Sequence, residues 1–125
     1  MTHTYFIDVD GVLLKHNGSL IEQMNNPGEI LPETQNLLNK IEQAGGKIIL
    51  TTGRKESMRQ KTELILSNLG IFYDQLVMGC NRGPRILIND LKPQSSLRTA
   101  YAFSPTRNAL NISEVEEIIK KYVDL

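Results

Sequence analysis

Tryptophan is absent and cysteine occurs once, at Cys80, so the chain can form neither an internal disulfide nor a multi-cysteine metal site. No apolar run is longer than the four residues from Ala100 to Phe103, where a bilayer span needs roughly twenty. The polar start Met1-Thr2-His3-Thr4 lacks the apolar stretch of a secretion signal. A soluble, cytoplasmic protein is therefore expected. Charge of neither sign is in excess: fourteen Lys and Arg balance fourteen Asp and Glu, with no block of like charges. The totals thus disfavour nucleic acid and anionic membranes as partners. His3 and His16 stand too far apart to make a metal-binding pattern, and both they and Cys80 read as incidental. At 125 residues the chain has the length of one domain, taken as 1–125.

What is present is a rhythm of short apolar runs and amphipathic stretches, the pattern of βαβ units around a mainly parallel sheet. Tyr5-Phe6-Ile7 is a strand that runs into Asp8-Val9-Asp10-Gly11. Residues 14–31 are polar, contain the turn signal Asn25-Asn26-Pro27-Gly28, and read as a loop. Pro32 opens a helix with Leu37, Leu38 and Ile41 on one face, which Gly45-Gly46 stops. A second strand covers 47–52, a second helix 54–69 and a third strand 75–78. After Gly83-Pro84, residues 85–89 read as a fourth strand, with an edge strand near 99–103. A last helix follows the capping-box spacing Ser113 to Glu116 and carries Val115, Ile118, Ile119 and Tyr122.

Ligands of a parallel sheet bind where the strands end. Asp8 and Asp10, Thr51 and Thr52, and Asn89 and Asp90 all fall at such ends. Carboxylates gathered there repel one another unless a hard cation lies between them, which points to Mg²⁺. A carboxylate beside such a cation can attack a phosphoryl group, giving an aspartyl-phosphate. Strand alternation places Asp10 on the face of Asp8, so Asp8 can attack while Asp10 moves protons.

Asp8-Val9-Asp10-Gly11-Val12 resembles the first signature of the haloacid dehalogenase superfamily, in its phosphotransferase branch. Thr51-Thr52-Gly53-Arg54 resembles the second, and Ile86-Leu87-Ile88-Asn89-Asp90 stands where the fourth, acidic signature belongs. The resemblance implies a three-layer Rossmann-like fold, with Asp8 as nucleophile and Mg²⁺ ligand. It also implies Asp10 as acid and base with its carbonyl on the metal, and Asn89 or Asp90 as further ligands. Thr52 with Gly53 would bind phosphate, Thr51 being the other candidate hydroxyl. The third signature's cation has no Lys here. Arg82 is preferred for that task, on the expectation that Arg85 is drawn into a strand, while Arg54 and Lys92 are left open.

Larger relatives insert a cap domain, for which neither interval between signatures has room. The expected site is open, and a neighbouring copy in a homo-oligomer could cover it. The leading expectation is a Mg²⁺-dependent phosphomonoester hydrolase acting on a small phosphorylated substrate such as a sugar phosphate. The alternatives are a degenerate domain that only binds a phosphorylated ligand or partner, and a 3′-phosphatase of polynucleotide ends.

Overall fold

The structure is a computed structural model that describes residues 2–19, 21–22 and 28–123. Its elements are β1 (Thr4–Asp8), α1 (Thr34–Gln43), β2 (Lys47–Thr51), α2 (Arg59–Asn68), β3 (Gln75–Val77) and α3 (Ser113–Val123). A 3₁₀ turn over Glu56–Met58 leads into α2. The three strands form one parallel sheet in the order β1-β2-β3, as the alternation of elements predicts. Asn25, Asn26 and Pro27 of the expected turn, and the side chain of Tyr122, lie outside the described residues. No helix among the described residues is long and apolar enough to cross a membrane.

The core follows from strand alternation. Ile7 stands opposite Leu50, and Leu50 opposite Leu76, so these three side chains form one buried row across the sheet. Leu37, Leu38 and Ile41 of α1, Ile65 and Leu66 of α2, and Ile112 and Ile119 at the α3 end join the same cluster. Phe6 and Val77, on the opposite face, stay exposed. The Thr34 hydroxyl at the start of α1 donates to the Leu13 carbonyl at 2.7 Å, fastening the helix to the loop that follows β1. At the other end, the Gly46 N–H donates to the Ile41 carbonyl at 2.9 Å, and Gly45 takes the left-handed conformation at φ +75°.

Several boundaries differ from expectation. α2 begins at Arg59, because Arg54 is turned inward and its carbonyl accepts the Gly79 N–H at 2.8 Å. β3 stops at Val77, before Gly79 with φ +74°. Asn111 rather than Ser113 precedes α3 as the capping side chain, its Oδ1 accepting the Ser113 N–H at 3.0 Å. The lysine of α1 reaches the same helix: Lys40 Nζ donates to Glu116 Oε1 at 2.8 Å.

The larger correction concerns residues 85–89 and 99–103, neither of which is a strand. A strand exists only where a second backbone pairs with it, and among the described residues none pairs with these. The polar groups of the segment bond to one another instead: Asn89 Nδ2 donates to the Thr99 carbonyl at 2.8 Å, and the Thr99 hydroxyl to the Asp90 carbonyl at 2.6 Å.

Gly46 tests the α1–β2 junction. A Cβ there would lie 2.8 Å from Ile41 Cγ2 and 2.9 Å from Tyr5 Cε2. Gly46→Ala is therefore expected to cost about 1–3 kcal/mol, read as a lower urea midpoint with an unchanged slope.

Candidate active site

The sheet ends in two loops that meet. After Asp8, the Val9 N–H continues the pairing by donating to the Thr51 carbonyl at 3.0 Å. The chain then coils: the Leu13 and Leu14 N–H groups donate to the Val9 carbonyl at 3.1 and 3.0 Å, and the Gly11 N–H donates to Leu14 at 2.7 Å. Gly11 sits at φ +95°, a conformation open to glycine. Beyond β2, Thr52 and Gly53 turn the chain so that Arg54 points back toward this coil. A Cβ on Gly53 would lie 3.4 Å from the Cys80 carbonyl.

Arg54 joins the two loops. It is only 4% exposed, and it grips Asp10 with two parallel bonds, Nε to Oδ2 at 2.9 Å and Nη2 to Oδ1 at 2.8 Å. Its third arm, Nη1, donates to the Thr62 hydroxyl at 3.3 Å. The Thr52 hydroxyl is fully buried; it accepts the Arg54 N–H at 3.1 Å and donates to Asp10 Oδ2 at 3.4 Å. Asp10 thus accepts three donors, leaving about one of the four lone-pair positions of a carboxylate for a proton in transit.

Asp8 faces outward, its side chain 47% exposed. Partial burial raises its pKa above the ordinary carboxylate value, and the neighbouring Asp10 charge raises it further. Arg85, the Val9 N–H and His16 pull the other way. Arg85 Nη2 lies 3.9 Å from Asp8 Oδ1, while its Nη1 donates to the carbonyls of Asn81 at 2.9 Å and Gly83 at 3.1 Å. Arg82 is exposed. The cation beside Asp8 is therefore Arg85 and not the expected Arg82, because no strand forms to draw Arg85 away.

Thr51 stands opposite Asp8 in the β1–β2 pairing and so shares its face of the sheet. Asn89 and Asp90 are on the exposed segment, where Asp90 has Lys92 Nζ at 3.9 Å. The structure brings together Asp8, Asp10, Thr51, Thr52, Gly53 and Arg54, with Arg85 beside them. It does not seat Asn89 and Asp90 in the sheet.

Sequence reasoning missed Asn108. Its N–H donates to the Gly11 carbonyl at 2.8 Å, its Oδ1 accepts the His16 N–H at 2.7 Å, and its Nδ2 donates to the His16 carbonyl at 3.3 Å. It holds φ +63°, which asparagine tolerates better than most residues. The only local signal was a turn-like Pro105-Thr106-Arg107-Asn108, and nothing in it names a partner ninety residues away.

The profile of the haloacid dehalogenase-like hydrolases matches residues 5–96. No curated protein matches the chain. Among solved structures, a chain in a Pnkp1/Rnl/Hen1 complex is similar at 27% identity and a TM-score of 0.56, over 69% of this chain and 31% of that one. A chain in a Pnkp1/Rnl/Hen1 RNA repair complex is similar at 26% identity and a TM-score of 0.55, over 67% and 28%. This chain therefore aligns with less than a third of either. A Vibrio cholerae protein of known crystal structure shares the fold along 97% of this chain and 98% of its own, at 18% identity and a TM-score of 0.51.

The residues fit a Mg²⁺ ion in part: Asp8 offers a half-exposed carboxylate, and the Asp10 ligand the resemblance implies is its backbone carbonyl, not the carboxylate held by Arg54, whereas Asn89 and Asp90 lie on the exposed segment outside the sheet. Among the described residues no three His, Cys, Asp or Glu side chains are grouped to hold a metal.

Two tests follow from this geometry. Arg54→Ala leaves the Asp10 carboxylate buried without its partner and is expected to cost about 3–5 kcal/mol, read by urea denaturation. Asp8→Asn acts the other way. Because the folded pKa of Asp8 lies above its unfolded value, the protonated carboxyl favours the fold; that contribution is complete at low pH and lost as pH rises through the folded value. In metal-free buffer the variant should melt above the wild type at pH 7, and the gap should close below about pH 4.

Proposed function

From a chain that belongs to the haloacid dehalogenase-like hydrolases, we propose a phosphomonoester hydrolase in which Asp8 is the nucleophile. The observation that carries this reading is the pair at the end of β1: Asp8 is half exposed with a guanidinium 3.9 Å away, and Asp10, two residues on, is held by Arg54. An Asp8 oxygen attacks phosphorus, the ester P–O bond breaks, and the leaving oxygen departs as an alcohol with a proton that Asp10 has first taken up from water at the site, on the one oxygen position its other bonds leave open. Water then attacks the phosphorus of the aspartyl-phosphate and gives a proton to Asp10, which releases inorganic phosphate and restores Asp8.

Arg85 faces the phosphoryl charge in this scheme. The Thr52 hydroxyl is spent on Asp10 and Arg54, so Thr51, beside Asp8 on the sheet, becomes the hydroxyl that donates to a phosphoryl oxygen. Mg²⁺ is proposed as cofactor on the general requirement of the superfamily; held by Asp8, it would offset the negative charge of the phosphoryl oxygens.

A small phosphorylated metabolite, a sugar phosphate among them, suits an open site on a chain of zero net charge. A second reading, removal of 3′-phosphates from polynucleotide ends, is favoured by the likeness to chains of an RNA repair complex.

Phosphate release from sugar phosphates, nucleotides and 3′-phosphorylated oligonucleotides decides between them. Turnover is expected to need Mg²⁺, to stop with a chelator, and to fall by at least about 10³-fold in Asp8→Asn. Normal turnover in that variant overturns the mechanism. Preference for the oligonucleotide, with activity that falls steeply with salt, selects the second reading.

A further inference from the structure

The loop that carries both carboxylates is bordered by two basic side chains to which the hydrolase scheme gives no task. A Cβ built on Gly11 would lie 3.4 Å from Arg107 Cγ and 3.8 Å from His16 Cβ. Both side chains therefore rise beside the turn that follows Asp10. Arg107 is exposed, and among the described residues its guanidinium has no hydrogen-bond or ion-pair partner. An unpaired guanidinium beside an anion site is ready to receive an oxyanion from a ligand.

The placement of the two is fixed. Asn108, next in the chain after Arg107, donates its N–H to the Gly11 carbonyl at 2.8 Å. Its side chain bonds both backbone groups of His16, at 2.7 and 3.3 Å. Three bonds thus hold the base of Arg107 and the base of His16 against one turn. The His16 ring is set as well, since its Nδ1 accepts the Gly18 N–H at 3.2 Å and leaves Nε2 as the donor. Arg107 and Asn108 lie beyond residues 5–96, which the family profile matches, so this latch adds to the hydrolase frame without belonging to its signatures.

The basic groups that act on the Asp8 charge are Arg85 and His16, and Arg107 is not among them. Arg107 therefore stands clear of the phosphoryl group that Asp8 attacks and meets what lies beyond it. We propose that Arg107, with His16 beside it, binds a second phosphate of the substrate, and that Asn108 is the positioning residue that holds the two in place. The site then prefers phosphomonoesters that carry another phosphate to those that do not. For the place of the first phosphate this rests on the hydrolase reading.

A phosphate suits these donors. Its several oxygens accept a guanidinium and an imidazole from different directions, and arginine is cationic at any working pH. Beside Asp8 and Asp10 a second phosphate would be repelled unless local cations received it. Two sources share this chemistry: a small bisphosphate, such as a sugar bisphosphate, and the adjoining phosphodiester of a polynucleotide end.

The test compares kcat/KM within two pairs, a hexose monophosphate against a hexose bisphosphate and a nucleoside 3′-phosphate against a dinucleotide 3′-phosphate. The wild type is expected to prefer the second member of a pair by about 10-fold or more, through KM. Arg107→Ala should bring that ratio near one, and Arg107→Lys should restore part of it. Asn108→Gly, which tolerates the left-handed backbone but lacks the side-chain bonds, should lower it. Preference in the sugar pair supports a small bisphosphate, and preference in the nucleotide pair supports a polynucleotide end. A ratio near one in both pairs overturns the proposal, as does a preference that survives Arg107→Ala. An equal fall on both members of a pair marks a merely structural role and overturns it too, while a ratio left whole in Asn108→Gly removes the positioning role of Asn108.

Where none of these compounds releases phosphate, the hydrolase reading fails and binding alone decides. Calorimetric titration of Asp8→Asn, which lacks the repelling charge of the carboxylate, should then show the hexose bisphosphate or the dinucleotide bound about 10-fold more tightly than its partner. That difference should vanish when Arg107→Ala is added. Equal affinities within both pairs overturn the proposal.

Discussion

The paired bonds between Arg54 and Asp10 are the constraint on which the site depends. They join two loops far apart in sequence, one after β1 and one after β2, at the edge where both strands end. A buried guanidinium is costly to desolvate, and here every arm is used: two on the carboxylate and one on Thr62 of α2. The fork geometry of arginine sets the direction of Asp10, which an ammonium as a point charge would not do. With Asp10 fixed, Asp8 alone is left facing outward, and the two carboxylates of one short motif acquire different environments.

The rest of the fold supports that junction. The buried row of Ile7, Leu50 and Leu76 holds the strand ends level. Thr34 ties α1 to the Leu13 carbonyl beneath the β1 loop. Asn108 closes the coil from outside by bonding to Gly11 and to both backbone groups of His16. A segment beyond the residues matched by the family profile therefore shapes the loop that carries both carboxylates.

The three strands, the two helices between them and the last helix were legible because period and punctuation are local: Leu37, Leu38 and Ile41 announce α1, and Gly45-Gly46 ends it. The placement of Asp8 and Asp10 at a strand end was legible for the same reason. The role of Arg54 was not, since it depends on a carboxylate forty-four positions away and on burial. Asn108 is a stronger case, because its partners are set only by the way the chain returns from the exposed segment. Arg82 was preferred over Arg85 because residues 85–89 were expected to pair as a strand. Residues 85–89 have the composition of a strand, but composition names no neighbour, and among the described residues none pairs with them.

That mismatch between strand composition and an unpaired strand has a bearing on the chemistry. At 3.9 Å, an ion pair exposed to water is weak, because the solvent screens it. The contact between Arg85 and Asp8, each side chain nearly half exposed, is in this condition. Whatever excludes water from Asp8 strengthens its attraction to Arg85 and at the same time penalises the lone charge on Asp8 more heavily. The exposed carboxylate and the distant guanidinium are thus linked by hydration: their charges act on one another at full strength only where water is displaced.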